Sequence, residues 1–96
     1  MESIAHEIDA LLVSLGRLGR LGNYGEANHD LNKCLLLINQ MQENGLLKPV
    51  PPGLIKKFNY SLETIFLMLK NKDWVAISDI IEYELIGIWQ EIIKAL

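Results

Sequence analysis

Apolar residues recur along the chain at three- and four-residue steps in four successive stretches. In the first, Ile4, Ile8, Leu11, Leu15 and Leu18 are spaced 4-3-4-3, with Leu12 widening the stripe. That spacing gathers them on one helix face, and His6, Asp9, Arg17 and Arg20 fall on the other side. Ser3 is a good N-cap for this helix and Gly22 a natural stop. The second stripe is Tyr24, Ala27, Leu31, Cys34, Ile38 and Met41; Asn23 precedes it, with Glu26 placed as in a capping box. Asn44-Gly45 ends this helix, and Leu46 is placed for the hydrophobic contact of a Schellman cap.

Lys48-Pro49-Val50-Pro51-Pro52-Gly53 is the strongest break, because proline neither continues a helix nor favours one at the residue before it. A third helix follows, carrying Leu54, Ile55, Phe58, Leu62, Ile65, Phe66 and Leu69, and ends near Asn71. Asp73 then caps a fourth, with Trp74, Ile77, Ile81, Leu85, Ile88, Ile92 and Leu96 on its stripe. The joins at Gly22-Asn23 and at 71–73 are so short that flanking helices must fold back antiparallel. No strand-like alternation bounded by turns occurs. The expected fold is therefore all-α, an antiparallel up-down-up-down four-helix bundle. It is a single domain over 1–96 made of two hairpins, 3–45 and 54–96, joined by a proline linker at 48–53.

The two hairpins match under a shift of fifty residues. Ile4 falls on Leu54, Ile8 on Phe58, Leu12 on Leu62 and Leu15 on Ile65; Asn23 falls on Asp73 and Tyr24 on Trp74. Leu31, Leu35 and Ile38 fall on Ile81, Leu85 and Ile88. Duplication explains the coincidence of cap, aromatic and core. Equal-length amphipathic hairpins alone explain the aliphatic matches but less easily the cap and aromatic.

Composition narrows the function classes. With 96 residues there is room for one core. A net charge of −3 with few, scattered basic residues lacks the stripe of a nucleic-acid binder. Glu2, Glu7 and Asp9 occupy the place of a signal peptide's basic and apolar regions. The longest uncharged stretch, Cys34 to Gln42, is too short for a membrane span, and the single cysteine fits a reducing compartment. The expectation is a cytoplasmic protein without a membrane span.

Candidate chemistry is sparse. Glycines at 16, 19, 22 and 25 have two readings: an anion-cradling loop served by Arg17 or Arg20, or close helix approach with a loosened helix end. A phosphate loop would follow a strand, which favours the second. Acidic residues gather in Ser78-Asp79-Ile80-Ile81-Glu82-Tyr83-Glu84-Leu85. Glu82 and Glu84 diverge on a helix, so the cluster does not fit a di-iron bundle. Cys34 lies on a core stripe with no histidine to activate it. No catalytic set emerges, and the expectation is a non-enzyme without cofactor or metal.

The apolar surplus is the better lead. Val75, Ile86 and Ile93 form a second stripe on the fourth helix, and Ile80 with Tyr83 occupies another side. Tyr60 and Leu67 stand opposite the core stripe of the third helix, as Leu36 does in the second. Scattered surface leucines are normal, but a helix apolar nearly all round is buried on more than one face. Leu36, Tyr60, Leu67, Val75, Tyr83, Ile86 and Ile93 are thus candidate interface residues. The expected partner is a second copy or another helical protein.

Asp79-Ile80-Ile81-Glu82-Tyr83-Glu84-Leu85, after the Asn71-Lys72-Asp73-Trp74 turn, resembles the terminal helix of a family of small bacterial helical proteins without assigned activity. That resemblance covers the last quarter of the chain and transfers no functional residue. In architecture alone the chain is similar to flagellar export chaperones, bundles that hold a client helix in an apolar groove. The leading expectation is a non-catalytic interaction module, adaptor- or chaperone-like. The alternative is a small-ligand or metal-binding bundle using Glu82, Glu84, Trp74 and Trp89.

Overall fold

The structure, a computed structural model, describes the backbone of residues 2–96 and side chains from Ile4 onward. It is all-α: four helical rods packed in a compact globule, with no strand among the described residues. Helix α1 is Glu2–Arg20, α2 is Tyr24–Glu43 and α3 is Pro52–Lys70. The fourth rod is continuous but in three parts: α4 (Trp74–Ile80), a π-helical turn (Ile81–Leu85) and α5 (Ile86–Ala95).

Helix α1 begins at Glu2, so Ser3 lies inside its first turn; the expected Ser3 side-chain cap lies outside the described residues. Gly22 ends the helix as expected, at φ +81°, with Asn23 N–H donating to Leu18 O at 3.0 Å and Gly22 N–H to Gly19 O at 3.3 Å. This is the six-to-one and five-to-two pair of a Schellman stop. The same pair closes α2 at Gly45, with Leu46 N–H on Met41 O at 2.9 Å and Leu46 half-buried against the core. The expected Asn23 capping box does not form, since its side chain makes no cap hydrogen bond. Asp73 does cap α4, accepting from Ala76 N–H at 3.1 Å.

Proline acts differently from the expected linker. Helix α3 starts at Pro52 rather than Leu54, with Pro51 as the N-cap residue, because a first-turn proline lacks only an N–H that has no partner there anyway. Within the connection Val50 is buried, pinning the loop to the core.

The stripe of α2 is buried at Ala27, Leu31, Cys34, Ile38 and Met41, while Tyr24 at its start is exposed. In α1 the deepest residues are Ala5, Ile8, Leu12 and Leu15; Ile4, Leu11 and Leu18 are half-buried along the edges. Phe58, Leu62 and Ile65 carry α3, whereas Phe66 is exposed. In the fourth rod Trp74, Ile77, Ile81, Leu85, Trp89 and Ile92 are buried, and Leu96 is exposed. Trp89 takes the central place expected of Ile88, which is half-buried. Ile92 keeps its expected burial, so the change is local to that turn of the helix; just before it, in the π turn, Ile86 N–H reaches back five residues to Ile81 O. Trp89 stacks at a tilt on Phe58, 5.2 Å between centroids, and donates Nε1–H to Ala5 O at 2.9 Å.

Helix adjacency runs α2, α1, fourth rod, α3; α2 and α3 do not close-pack. The fifty-residue shift holds in the backbone. Lys72, equivalent to Gly22, adopts φ +53°, and Asp73 and Lys72 N–H groups bond to Met68 and Leu69 O, the equivalents of Leu18 and Gly19. The equivalent rings of Tyr24 and Trp74 stack on each other, centroids 5.3 Å apart and planes 12° apart. Equivalent residues in mutual contact imply a local two-fold relation between the hairpins. Under it the α1–α4 seam corresponds to the α3–α2 seam, but Gly16 and Gly19 on the first are replaced by Phe66 and Leu69 on the second.

Candidate interaction site

Of the four glycines in the run, Gly16 and Gly19 are packing positions, Gly22 is the turn, and a Cβ on Gly25 would meet nothing within 4 Å. A Cβ on Gly16 would stand 3.2 Å from Glu82 Cγ and 3.3 Å from Ile81 Cγ2. One on Gly19 would overlap Ser78 Oγ and lie 3.1 Å from Trp74 Cε3. Arg20, one turn beyond Gly16, spans the same seam: its Nε donates to both Glu82 carboxylate oxygens at 2.8 and 2.9 Å, and its Nη2 to Asp79 Oδ1 at 2.7 Å. These bonds, to Glu82 first and Asp79 second, raise the guanidinium above its ordinary range. Arg20 is thus committed to carboxylates rather than presented to an anion.

The acidic cluster is divided in the same way. Glu82 faces Arg20 across the α1 seam, while Glu84 lies on the side of α3. Trp74 and Trp89 are core residues. Among the described residues no group of three or more His, Cys, Asp or Glu converges to hold a metal ion. Cys34 is buried, and its thiol is pushed up to about 12 by desolvation, with Asp30 adding to the effect. His6 and His29 are exposed.

An open groove of about 800 Å³ runs between α3 and the fourth rod. Tyr60 flanks it on α3 and Tyr83 on the π turn, 71% and 79% exposed. Gly87 forms part of its lining, and a Cβ there would meet nothing within 4 Å. Leu54 and Ile88 supply apolar walls. Lys56 and Lys57 line the α3 side, Glu84 and Glu91 the other. No ion pair joins these opposite charges within 4.0 Å; Glu91 only touches Lys94, at 3.9 Å.

Of the expected interface residues, the structure brings together Tyr60 and Tyr83. Leu67 lies two turns from Tyr60 on the same outer line of α3, and Val75 is exposed at the start of α4. Leu36 is exposed on α2, which does not border the groove. Ile86 and Ile93 are half-buried against the core, so they do not form a free second stripe. Ile93 instead helps wall a separate apolar cup of about 370 Å³ with Met41, Leu46, Pro49 and Leu96. Lys56, Lys57, Gly87 and Glu91 were not expected. The one signal for them is a glycine inside an otherwise apolar helix, where it costs about 1 kcal/mol relative to alanine and so asks for a reason.

The chain matches the model of a domain of unknown function, DUF8042, over residues 6–95. No curated protein and no solved structure matches it. The chain belongs to the DUF8042 family.

Proposed function

We propose that this DUF8042 domain is a non-catalytic, cytoplasmic helical interaction module, adaptor- or chaperone-like, that docks a helix in the groove between α3 and the fourth rod. The observation that carries this reading is the pair of highly exposed tyrosines across a groove whose lining includes a side-chain-free residue, Gly87. Tyrosine offers a large contact area with few rotors to immobilise, and for that reason is enriched in interfaces. A helix-in-groove mode needs an apolar floor with polar rims, and Leu54, Ile88 and the four rim charges supply both.

The test is to select amphipathic peptides of about five turns that bind the domain and map them by amide chemical shifts. Perturbations should centre on Tyr60, Tyr83, Gly87 and Ile88. Tyr60→Ala/Tyr83→Ala should weaken binding at least tenfold with far-ultraviolet circular dichroism unchanged. Binders that map to the apolar cup, or affinity indifferent to both tyrosines, would remove the reading.

A further inference from the structure

The groove is complementary to itself, and we infer that its occupant is a second copy of this chain, the two related by a two-fold axis running along the groove. This inference rests on the groove being an interaction site. The α3 side carries Lys56 and Lys57, and the opposite side Glu84 and Glu91. Lys56, Lys57 and Glu84 have no ion-pair partner within the chain. A surface with unspent positive charge on one rim and negative on the other attracts a copy of itself in one orientation and repels it in another.

Two rotations can bring the groove face to face with its copy. An axis across the groove sets α3 on α3, and so lysine on lysine. An axis along the groove sets each α3 on the partner's fourth rod, and so lysine on glutamate. Only the second is electrostatically favourable. It also preserves level along the groove. In the antiparallel hairpin Lys57 stands near the level of Gly87, and Tyr60 near Tyr83 and Glu84. Each Tyr60 then meets the partner's tyrosine and Glu84, and each lysine stem enters the space left at Gly87 beside Glu91. Like residues exchange contacts, as an isologous interface requires.

The dimensions set the strength. The groove lining covers residues 54–61 of α3, about 12 Å at 1.5 Å per residue, so a contact centred on it belongs with the small interfaces, under about 1,200 Å² in all, that associate transiently. A reversible dimer is expected, weakened by salt because its rim pairs are exposed.

The experiment is sedimentation equilibrium of the full chain across about two decades of concentration. The wild type should pass from monomer to dimer. Lys56→Glu/Lys57→Glu should weaken association at least tenfold, as should Glu84→Lys/Glu91→Lys, with circular dichroism unchanged. The fourfold variant carrying both pairs of exchanges should regain the dimer, because its rims are again opposite. A wild type monomeric throughout, a dimer indifferent to either double exchange, or a fourfold variant that stays apart would overturn the inference. A monomeric wild type whose groove still binds selected helical peptides would overturn the second copy alone and leave the docking site standing.

Discussion

At Gly19 the bundle depends on a missing methyl group. Alanine there would drive a Cβ into Ser78 Oγ and against Trp74, an overpacking that costs about 1–3 kcal/mol. Ser78 Oγ is itself buried without a hydrogen-bond partner, so Ser78→Ala removes a desolvated hydroxyl and should be neutral or stabilising. Urea denaturation should show Gly19→Ala destabilised and the double variant with Ser78→Ala partly restored; equal loss in both would place the clash elsewhere. Cys34 gives a pH prediction. Its thiol pKa rises from 9.0 to about 12 on folding, so the native state favours the proton. The contribution is complete below pH 9 and is lost as pH climbs toward 12. A thiol reagent at pH 8 should leave the folded chain unlabelled and react in urea, and Cys34→Ala should flatten the alkaline loss of stability. Burial of Cys34 was legible from its stripe and the Asp73 cap from its residue type, but the failure of the Asn23 cap was not. Asn23 and Asp73 have nearly the same backbone angles, φ −85°/ψ 67° and φ −89°/ψ 76°, yet only the carboxylate accepts a bond. Both residue types favour the position, and their local sequences do not separate them.

The two interhelical turns form one motif executed with different residues. Gly22 suits its left-handed conformation, whereas Lys72 at φ +53° crowds its Cβ against the backbone. Lys72→Gly should therefore stabilise the chain by about 0.5–1 kcal/mol, the relief exceeding the added freedom of the unfolded state. Gly22→Ala should destabilise it by about 1 kcal/mol. Thermal melts of both check the sign, since 1 kcal/mol is worth about 4–8 °C in a domain of this size. From Ala27 to Met41 the stripe of α2 was legible from its 3-4 spacing, with Tyr24 as the exception. The fourth rod was not. Ile80, Ile81, Leu85, Ile86 and Ile88 offer apolar residues on every side, so a turn closed five residues back leaves no trace in the pattern.

For the whole molecule, chain order and two short turns were enough to read four helices in two hairpins. The seams were not readable, because Gly16 and Gly19 acquire their meaning only when Ser78, Ile81 and Glu82 stand opposite. The groove was half legible. Tyr60 and Tyr83 announced themselves as misplaced aromatics, while the rim charges looked like ordinary solvated residues until α3 and the fourth rod were side by side. The hairpins' equivalence has a further consequence, because what one hairpin offers the other across a single chain it also offers to a hairpin of another molecule. The connection at 44–51, with Val50 anchored in the core, is expected to decide which is used. Deleting residues 46–49 should leave too little chain to turn back and favour exchange of whole hairpins between two molecules. Sedimentation should then find a dimer of wild-type helicity that persists in high salt and with Lys56→Glu/Lys57→Glu. A stable monomer from that deletion would show that the loop has slack. A short proline-rich loop would then be what separates a protein that meets its copy reversibly from one locked into it.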